Sequence, residues 1–506
     1  MAEHGVAREE AARHVELFRN PPPPTRVLRP CRTGDGIRVL REDEHPALVA
    51  RYDEAARRGR VSRFVPASGA ASRMFKALLE ALDRLEKAGD GDAPEPSQEV
   101  ATFFAELPRF AFYEALVAAT RRHGVDLAAR LGAYERKIAL RSLLTADGLD
   151  SAEQPKGLLL FHRYPQGPRT PFEEHLVEAA ALVRDEGGVC RLHFTVSPQH
   201  EPGFRDLLRA VRTCQETRHD VRYHVTFSHQ RRATDTLAVD PDARPFRTAS
   251  GALLFRPGGH GALLDNLQAL ADEGHDVVLL KNIDNVVPES RQPTVVLWKK
   301  LLGGTLLELA AHADAHLAEL AAEAPSEEAI SRAAAFVARD LSRPLPPSFA
   351  ATDRAAQVAE LIDALARPLR VCGVVRNSGE PGGGPFWVAA PDGRVSLQIV
   401  ETSQIDPRSP EQQAVLAAST HFNPVDVACA LRDRNGRPYD LASFVDPATV
   451  FIAKKSHEGR PLLALERPGL WNGGMAGWNT VFVEVPDETF APVKTVLDLL
   501  RPEHQG

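Results

Sequence analysis

Apolar positions recur at helical spacing, or cluster as short strands, along most of the 506-residue chain. The first residues read as a short helix that Pro21–Pro24 bring to an end, because proline cannot carry a helix onward. Arg63–Pro66 is short, β-rich and stopped by proline. A turn of small residues follows, and Met74, Leu78, Leu79 and Leu82 then return on one helical face. From about Asp83 to Asp150 the pattern is helical, broken by a polar stretch from Gly89 to Ser97; this predicts an inserted helical layer.

Beyond it, strands and helices alternate. Gly157–Phe161, Leu192–Val196, Arg222–Phe227 and Asp276–Leu280 read as strands. Pro171–Arg184, Glu201–Arg212 and Gly261–Glu273 read as helices, with Thr170 placed to cap and Pro171 in a first turn. Such alternation predicts βαβ units and a mainly parallel sheet covered on both faces, with ligands at the carboxyl ends of its strands. Pro293–Ala322 predicts a long helix, and Ser326–Arg339 and Asp353–Leu365 two more. From Val371 onward, short strands in glycine-rich sequence predict an α+β region: Val371–Asn377, Pro385–Ala390, Ser396–Thr402, Thr449–Lys455 and Asn479–Val485.

Composition narrows the function. The net charge is -7 and no Lys/Arg block runs through the chain, so a nucleic-acid partner is not expected. A basic pocket for small anions is compatible with that balance. No apolar run is long enough to span a membrane, and the acidic first residues are not a secretory signal. Cys31, Cys190, Cys214, Cys372 and Cys429 are scattered and show no metal spacing, which predicts free thiols in the cytoplasm.

Four segments carry candidate chemistry. In Pro66–Lys76, a strand runs through Ser68, Gly69 and Ala70 into a helix. Small residues let backbone approach a ligand, and Arg73 and Lys76 stand three apart where they can clamp phosphate oxygens. On spacing alone, a tight turn with solvated basic residues reads as well. This is neither a Walker loop nor a dinucleotide fingerprint, since no Gly-Lys-Ser/Thr follows and Gly69 is the only glycine in the turn. In Gln154–Gly157, Pro155 fixes the approach of Lys156, which suits a phosphate; an exposed loop lysine is the plain alternative. In Arg256–Gly261, Gly258, Gly259 and Gly261 surround His260, either as a second nucleotide contact or as a connector. In Lys281–Asn285, Asp284 and Asn285 follow a buried strand; Asp284 suits Mg²⁺, and a helix cap or Asx turn is the alternative.

In this order the segments resemble those of nucleotide-sugar pyrophosphorylases, the branch that includes the UDP-N-acetylglucosamine and UDP-glucose enzymes. SGAASRM, PKG, GGHG and IDN stand where that family has its Gly-rich loop, Pro-Lys-Gly, Gly-Asn-Gly-Gly-like loop and Val-Asp-Asn. Gln398–Ile405 resembles the family's segment whose glutamate binds the sugar. The whole chain resembles more closely a bacterial domain-of-unknown-function family, number 4301, in RFVPASGAASRMFK, RPGGHGALLDNL, KNIDNVVP and LWNGGMAGWNT.

The pyrophosphorylase resemblance implies an α/β fold: a three-layer, mainly parallel sheet of nucleotidyltransferase (GT-A-like) type with a helical insertion and a C-terminal α+β region. It implies an N-terminal segment over 1–60, an α/β domain over 61–345 with its insertion near 83–150, and an acceptor-binding region over 346–506. The implied reaction joins a nucleoside triphosphate to a phosphorylated small molecule, a sugar 1-phosphate above all, with Mg²⁺ or Mn²⁺. Arg73, Lys76 and Lys156 would be catalytic; Ser68, Gly69, Ala70, Gly258, Gly259, His260 and Gly261 would bind nucleotide. Asp284 would hold the metal, and Glu401, Asn285 and Lys455 the acceptor. The insertion between loop and Pro-Lys, and His260 in place of asparagine, depart from the family. Trp471–Asn479, with two tryptophans around three glycines, reads as a closing loop or a core turn. Asp240-Pro241-Asp242 matches the metal pattern of a glycosyltransferase, the nearest alternative; a non-catalytic nucleotide-binding protein is another.

Overall fold

The computed structural model describes residues 4–505 apart from 89–94, 378, 380, 381 and 391. The chain is mixed α/β with a mostly parallel central sheet. It forms two compact units: residues 1–64, 228–280 and 298–487 make the first, and 65–227, 281–297 and 488–506 the second.

In the first unit the sheet runs in the order Arg32–Thr33, Gly36–Arg38, Asn479–Glu484, Leu369–Arg376, Asp426–Ala430, Val277–Lys281, Val61–Pro66. Asp426–Ala430 lies antiparallel to Leu369–Arg376, whereas Asn479–Glu484 lies parallel to it. Every residue of Val277–Lys281 is buried, as expected of a parallel strand covered on both faces. Its apolar side chains Val278 and Leu280 share a core with Phe64, Leu267, Cys372, Phe482 and Trp478. A second, antiparallel sheet joins Val27–Pro30, Gly383–Ala389 and Val395–Glu401. Phe451–His457 and Arg460–Glu466 form a separate hairpin. The strands expected of the glycine-rich tail are therefore all present.

In the second unit the insertion is helical as expected, with helices Gln98–Ala105, Tyr113–Arg121 and Ala133–Leu144. Of its polar break, Gly89–Pro94 lie outside the described residues. These helices share one apolar core with helix Lys76–Lys87 and with Val493, Val496 and Leu499. Helix Pro171–Leu182 is buried almost throughout, and its cap is Thr170, whose Oγ1 accepts from the Glu173 N–H at 3.2 Å. Gly157–Phe161 is not a strand: Lys156–Leu158 form a single tight helical turn. The reason lies at Gly157, which is buried so closely under Phe204 that a Cβ would lie 2.8 Å from its ring.

The long helix predicted over Pro293–Ala322 spans Gln292–Leu320. Among the described residues, no helix is long and apolar enough to cross a membrane. Gly303 and Gly304 let the long helix press against helix His45–Arg57: a Cβ on Gly304 would sit 2.2 Å from the Leu48 carbonyl oxygen. Backbone cannot yield as a flexible side chain does, so Gly304→Ala should destabilise the protein by about 1–3 kcal/mol. A lower urea midpoint at unchanged slope is the expected reading; an unchanged midpoint would show that the two helices separate freely.

Candidate functional site

Three of the four predicted segments meet in the second unit. The Ala67 N–H donates to the Thr195 carbonyl at 2.8 Å, and the Ile283 N–H to the Pro66 carbonyl at 3.3 Å. The turn after Pro66 thus lies beside the carboxyl ends of two strands, where α/β sheets hold ligands. Ser68 is anchored through its carbonyl, which accepts from Ser197 Oγ at 3.2 Å. Gly69 faces open space, with nothing within 4 Å of a Cβ built on it. No described residue accepts from the N–H of Gly69 or Ala70. Arg73 closes the short helical turn Ala71–Arg73 and is exposed, with no ion pair to any described residue. Lys76 is 76% exposed and pairs with Glu80 at 3.8 Å.

The insertion leaves the chain just after this turn and returns to the same place. Ala70 pairs antiparallel with Pro155. The Ala71 N–H donates to the Gln154 carbonyl at 3.0 Å, and the Lys156 N–H to the Gly69 carbonyl at 3.3 Å. The two ends of the helical insertion are thereby joined in space. Lys156 Nζ then reaches Asp284 Oδ2 at 2.7 Å and the Val493 carbonyl at 2.6 Å. Their side chains are only 15% and 21% exposed, so the pair is screened less than a surface pair. The Asp284 carbonyl accepts from the Val493 N–H at 3.2 Å. Asn285 is buried, and its Oδ1 accepts from the Ala491 N–H at 2.9 Å. It anchors the chain's last segment.

The remaining predicted residues lie in the first unit. Gly259 takes φ +75°, which favours glycine. A Cβ on Gly258 would meet the Thr234 carbonyl at 2.6 Å, and one on Gly261 the Pro468 carbonyl at 2.2 Å. These two glycines make room for the chain's own backbone. The His260 ring stacks on Trp471 with centroids 4.1 Å apart. Its Nδ1 accepts from the Leu470 N–H at 3.0 Å, so the ring proton belongs on Nε2, which faces Glu401 Oε1 at 3.2 Å. Glu401 is 25% exposed. Gln404 Oε1 takes both the Glu401 N–H and the Asn472 amide, each at 2.9 Å. Lys455 sits on the hairpin, half exposed, 3.6 Å from Glu466.

The sequence reading missed Gln404 and Gly469 as parts of this cluster. Gln404 stood inside the quoted Gln398–Ile405 segment, so a signal was present. Gly469 carried none: it is required because a Cβ there would lie 2.2 Å from the His260 ring. Asp240 accepts at one oxygen from the N–H groups of Asp242 and Arg244, both at 2.9 Å. The Asp-Pro-Asp pattern therefore caps its own turn.

Two solved structures are similar to the chain as a whole. A variant of UDP-glucose pyrophosphorylase from Leishmania major is 13% identical over 97% of this chain and 73% of that one, with a TM-score of 0.45. The uridine diphosphate N-acetylglucosamine pyrophosphorylase from Trypanosoma brucei, solved with an inhibitor, is 13% identical over 98% and 76%, with a TM-score of 0.47. No curated protein matches the sequence. The family described as Domain of unknown function (DUF4301) matches residues 1–505, and the chain belongs to it.

Proposed function

We propose that this chain is a nucleotidyltransferase that joins a nucleoside triphosphate to a phosphorylated small molecule, foremost a sugar 1-phosphate, and releases pyrophosphate. One observation carries the reading. The open turn at Gly69, the lysine of Pro-Lys-Gly and the aspartate of Ile-Asp-Asn are tied together by the Ala70–Pro155 pairing and the 2.7 Å Lys156–Asp284 contact.

The chemistry follows from the donors available. The free N–H groups of Gly69 and Ala70 suit phosphate oxygens, as backbone amides at a strand–helix turn commonly do. Arg73 forks onto the leaving pyrophosphate, with Lys76 as a second charge on the same turn. An ammonium has three protons. Lys156 gives two to Asp284 and the Val493 carbonyl, which leaves one for the α-phosphate or the incoming phosphate. Held this way, the lysine loses little freedom on binding, and positioning of this kind supplies much of phosphoryl-type catalysis.

Asp284 uses Oδ2 for Lys156, and no described residue bonds its other carboxylate oxygen. No group of three or more metal-binding side chains occurs among the described residues. Mg²⁺ often takes one carboxylate and completes its shell with water and substrate phosphates, so this donor set fits it. Bound there, Mg²⁺ or Mn²⁺ would neutralise phosphate charge. In the first unit, Glu401 lies beside His260 Nε2 and is a proposed acceptor for ligand hydroxyls, whereas the space beside Gly258 and Gly261 is occupied by the chain's own carbonyls. Lys455 is a proposed second anion contact, and Asn285 acts by anchoring the segment that holds Lys156.

Three outcomes are expected. A screen of triphosphates against sugar 1-phosphates with Mg²⁺ should release pyrophosphate for at least one pair; binding without turnover across the whole screen would leave a regulatory protein instead. On that pair, Asp284→Asn and Lys156→Ala should each cut kcat on the order of 100-fold in protein that is still folded, with a lower urea midpoint because a part-buried charge loses its partner; full activity in either variant rejects the assigned roles. Glu401→Gln should raise the acceptor KM by on the order of tenfold and leave the triphosphate KM alone; equal rises in both would remove Glu401 from the acceptor site.

A further inference from the structure

The last segment of the chain is built into the phosphate-binding cluster. Val493 gives its carbonyl to Lys156 and its N–H to the Asp284 carbonyl, Ala491 donates to Asn285, and the Val496 N–H donates to the Met74 carbonyl at 3.1 Å. Thr495 and Asp498 cap the short turn Val496–Leu500. Arg109, from the helical insertion, reaches the Leu500 carbonyl at 3.2 Å.

Near its end, the segment is fastened by histidine. His504 Nδ1 lies 2.9 Å from His162 Nε2, with the rings stacked at 5.3 Å. His162 Nδ1 lies 3.0 Å from Glu174 Oε1, and both side chains are 0% exposed. Glu174 is held in turn by the Tyr164 hydroxyl at 2.7 Å and by the Gln292 amide at 3.3 Å, with Arg169 at 3.8 Å. A carboxylate only accepts, so His162 donates from Nδ1 and, while its ring is neutral, accepts at Nε2. His504 is then the donor through Nδ1. With both rings neutral the bonds run from His504 through His162 to Glu174, and His504 Nε2 is left buried with no hydrogen-bond partner among the described residues.

We propose that residues 491–505 form a strap over the phosphate-binding cluster, that the His162–His504 hydrogen bond is its catch, and that acid opens it. Closed, the strap supplies the Val493 carbonyl that positions Lys156. A further proton on His504 would be a buried cation beside His162, Arg501 and Arg291, which oppose it, while the Ala491 backbone favours it. Burial is the largest effect, and it pushes the His504 imidazole down to about 3. A released histidine titrates near 6.5. Protons therefore bind the open strap first. The closed state is fully favoured above about pH 6.5 and loses ground as pH falls toward about 3, close to tenfold per unit.

The strap does not depend on the reaction; only its effect on phosphate binding rests on the function proposed above. Hydrogen exchange of the full chain, followed on peptides from 488–505 at about pH 7.5 and about pH 5.5 and corrected for intrinsic rates, tests it without any substrate. Opening should rise about tenfold at the lower pH, the factor for one histidine of ordinary pKa. His504→Gln keeps a donor but cannot titrate, and its corrected exchange should be flat across the two conditions. Flat exchange in the wild type, or an unchanged pH response in His504→Gln, overturns the proposal. If that variant fails to fold, the wild-type pair of measurements decides alone.

Discussion

Lys156 is the point on which the arrangement of the second unit's candidate site depends. One ammonium is shared by Asp284 at 2.7 Å and the Val493 carbonyl at 2.6 Å, and its backbone N–H is shared with Gly69. Three chain-distant segments therefore converge because a half-buried charge must be satisfied. Removing either partner leaves a charge with poor solvation, so the arrangement is self-enforcing. The same pairing leaves one ammonium proton and one carboxylate oxygen without a partner among the described residues, and these are the atoms that the proposed reaction would use.

The glycines of the two candidate loops do different work. A Cβ on Gly69 would meet nothing within 4 Å, and the turn leaves backbone donors open to an anion. Gly258 and Gly261 are small because Thr234 and Pro468 carbonyls press on them. A glycine-rich signature in sequence cannot separate these cases, since both need the absence of a Cβ. His260 shows a related point. An imidazole stacked on Trp471 accepts from the Leu470 N–H at Nδ1 and so aims its Nε2 proton at Glu401.

Much of the architecture was legible in the pattern of apolar residues. Helix periodicity located the insertion and the long Gln292–Leu320 helix, and β-rich runs located the strands of the tail. Gly157–Phe161 was misread because its apolar run matches a strand while the Phe204 ring over Gly157 imposes a turn, and that contact is remote in sequence. The residues of the second-unit cluster were legible as types at strand ends. Their mutual pairing was not, because an Ala70–Pro155 bridge across a whole helical insertion leaves no local trace. The last segment's part in the site was likewise invisible: Val493 contributes a carbonyl, which every residue has.

The most direct test is a crystal structure of the chain grown with a non-hydrolysable nucleoside triphosphate and Mg²⁺. The account predicts triphosphate oxygens on the Gly69 and Ala70 N–H groups and on Arg73, Lys156 Nζ on a phosphate, and the metal on Asp284. A triphosphate bound elsewhere, with the Gly69 turn empty and Lys156 still turned wholly to Asp284 and Val493, would contradict it.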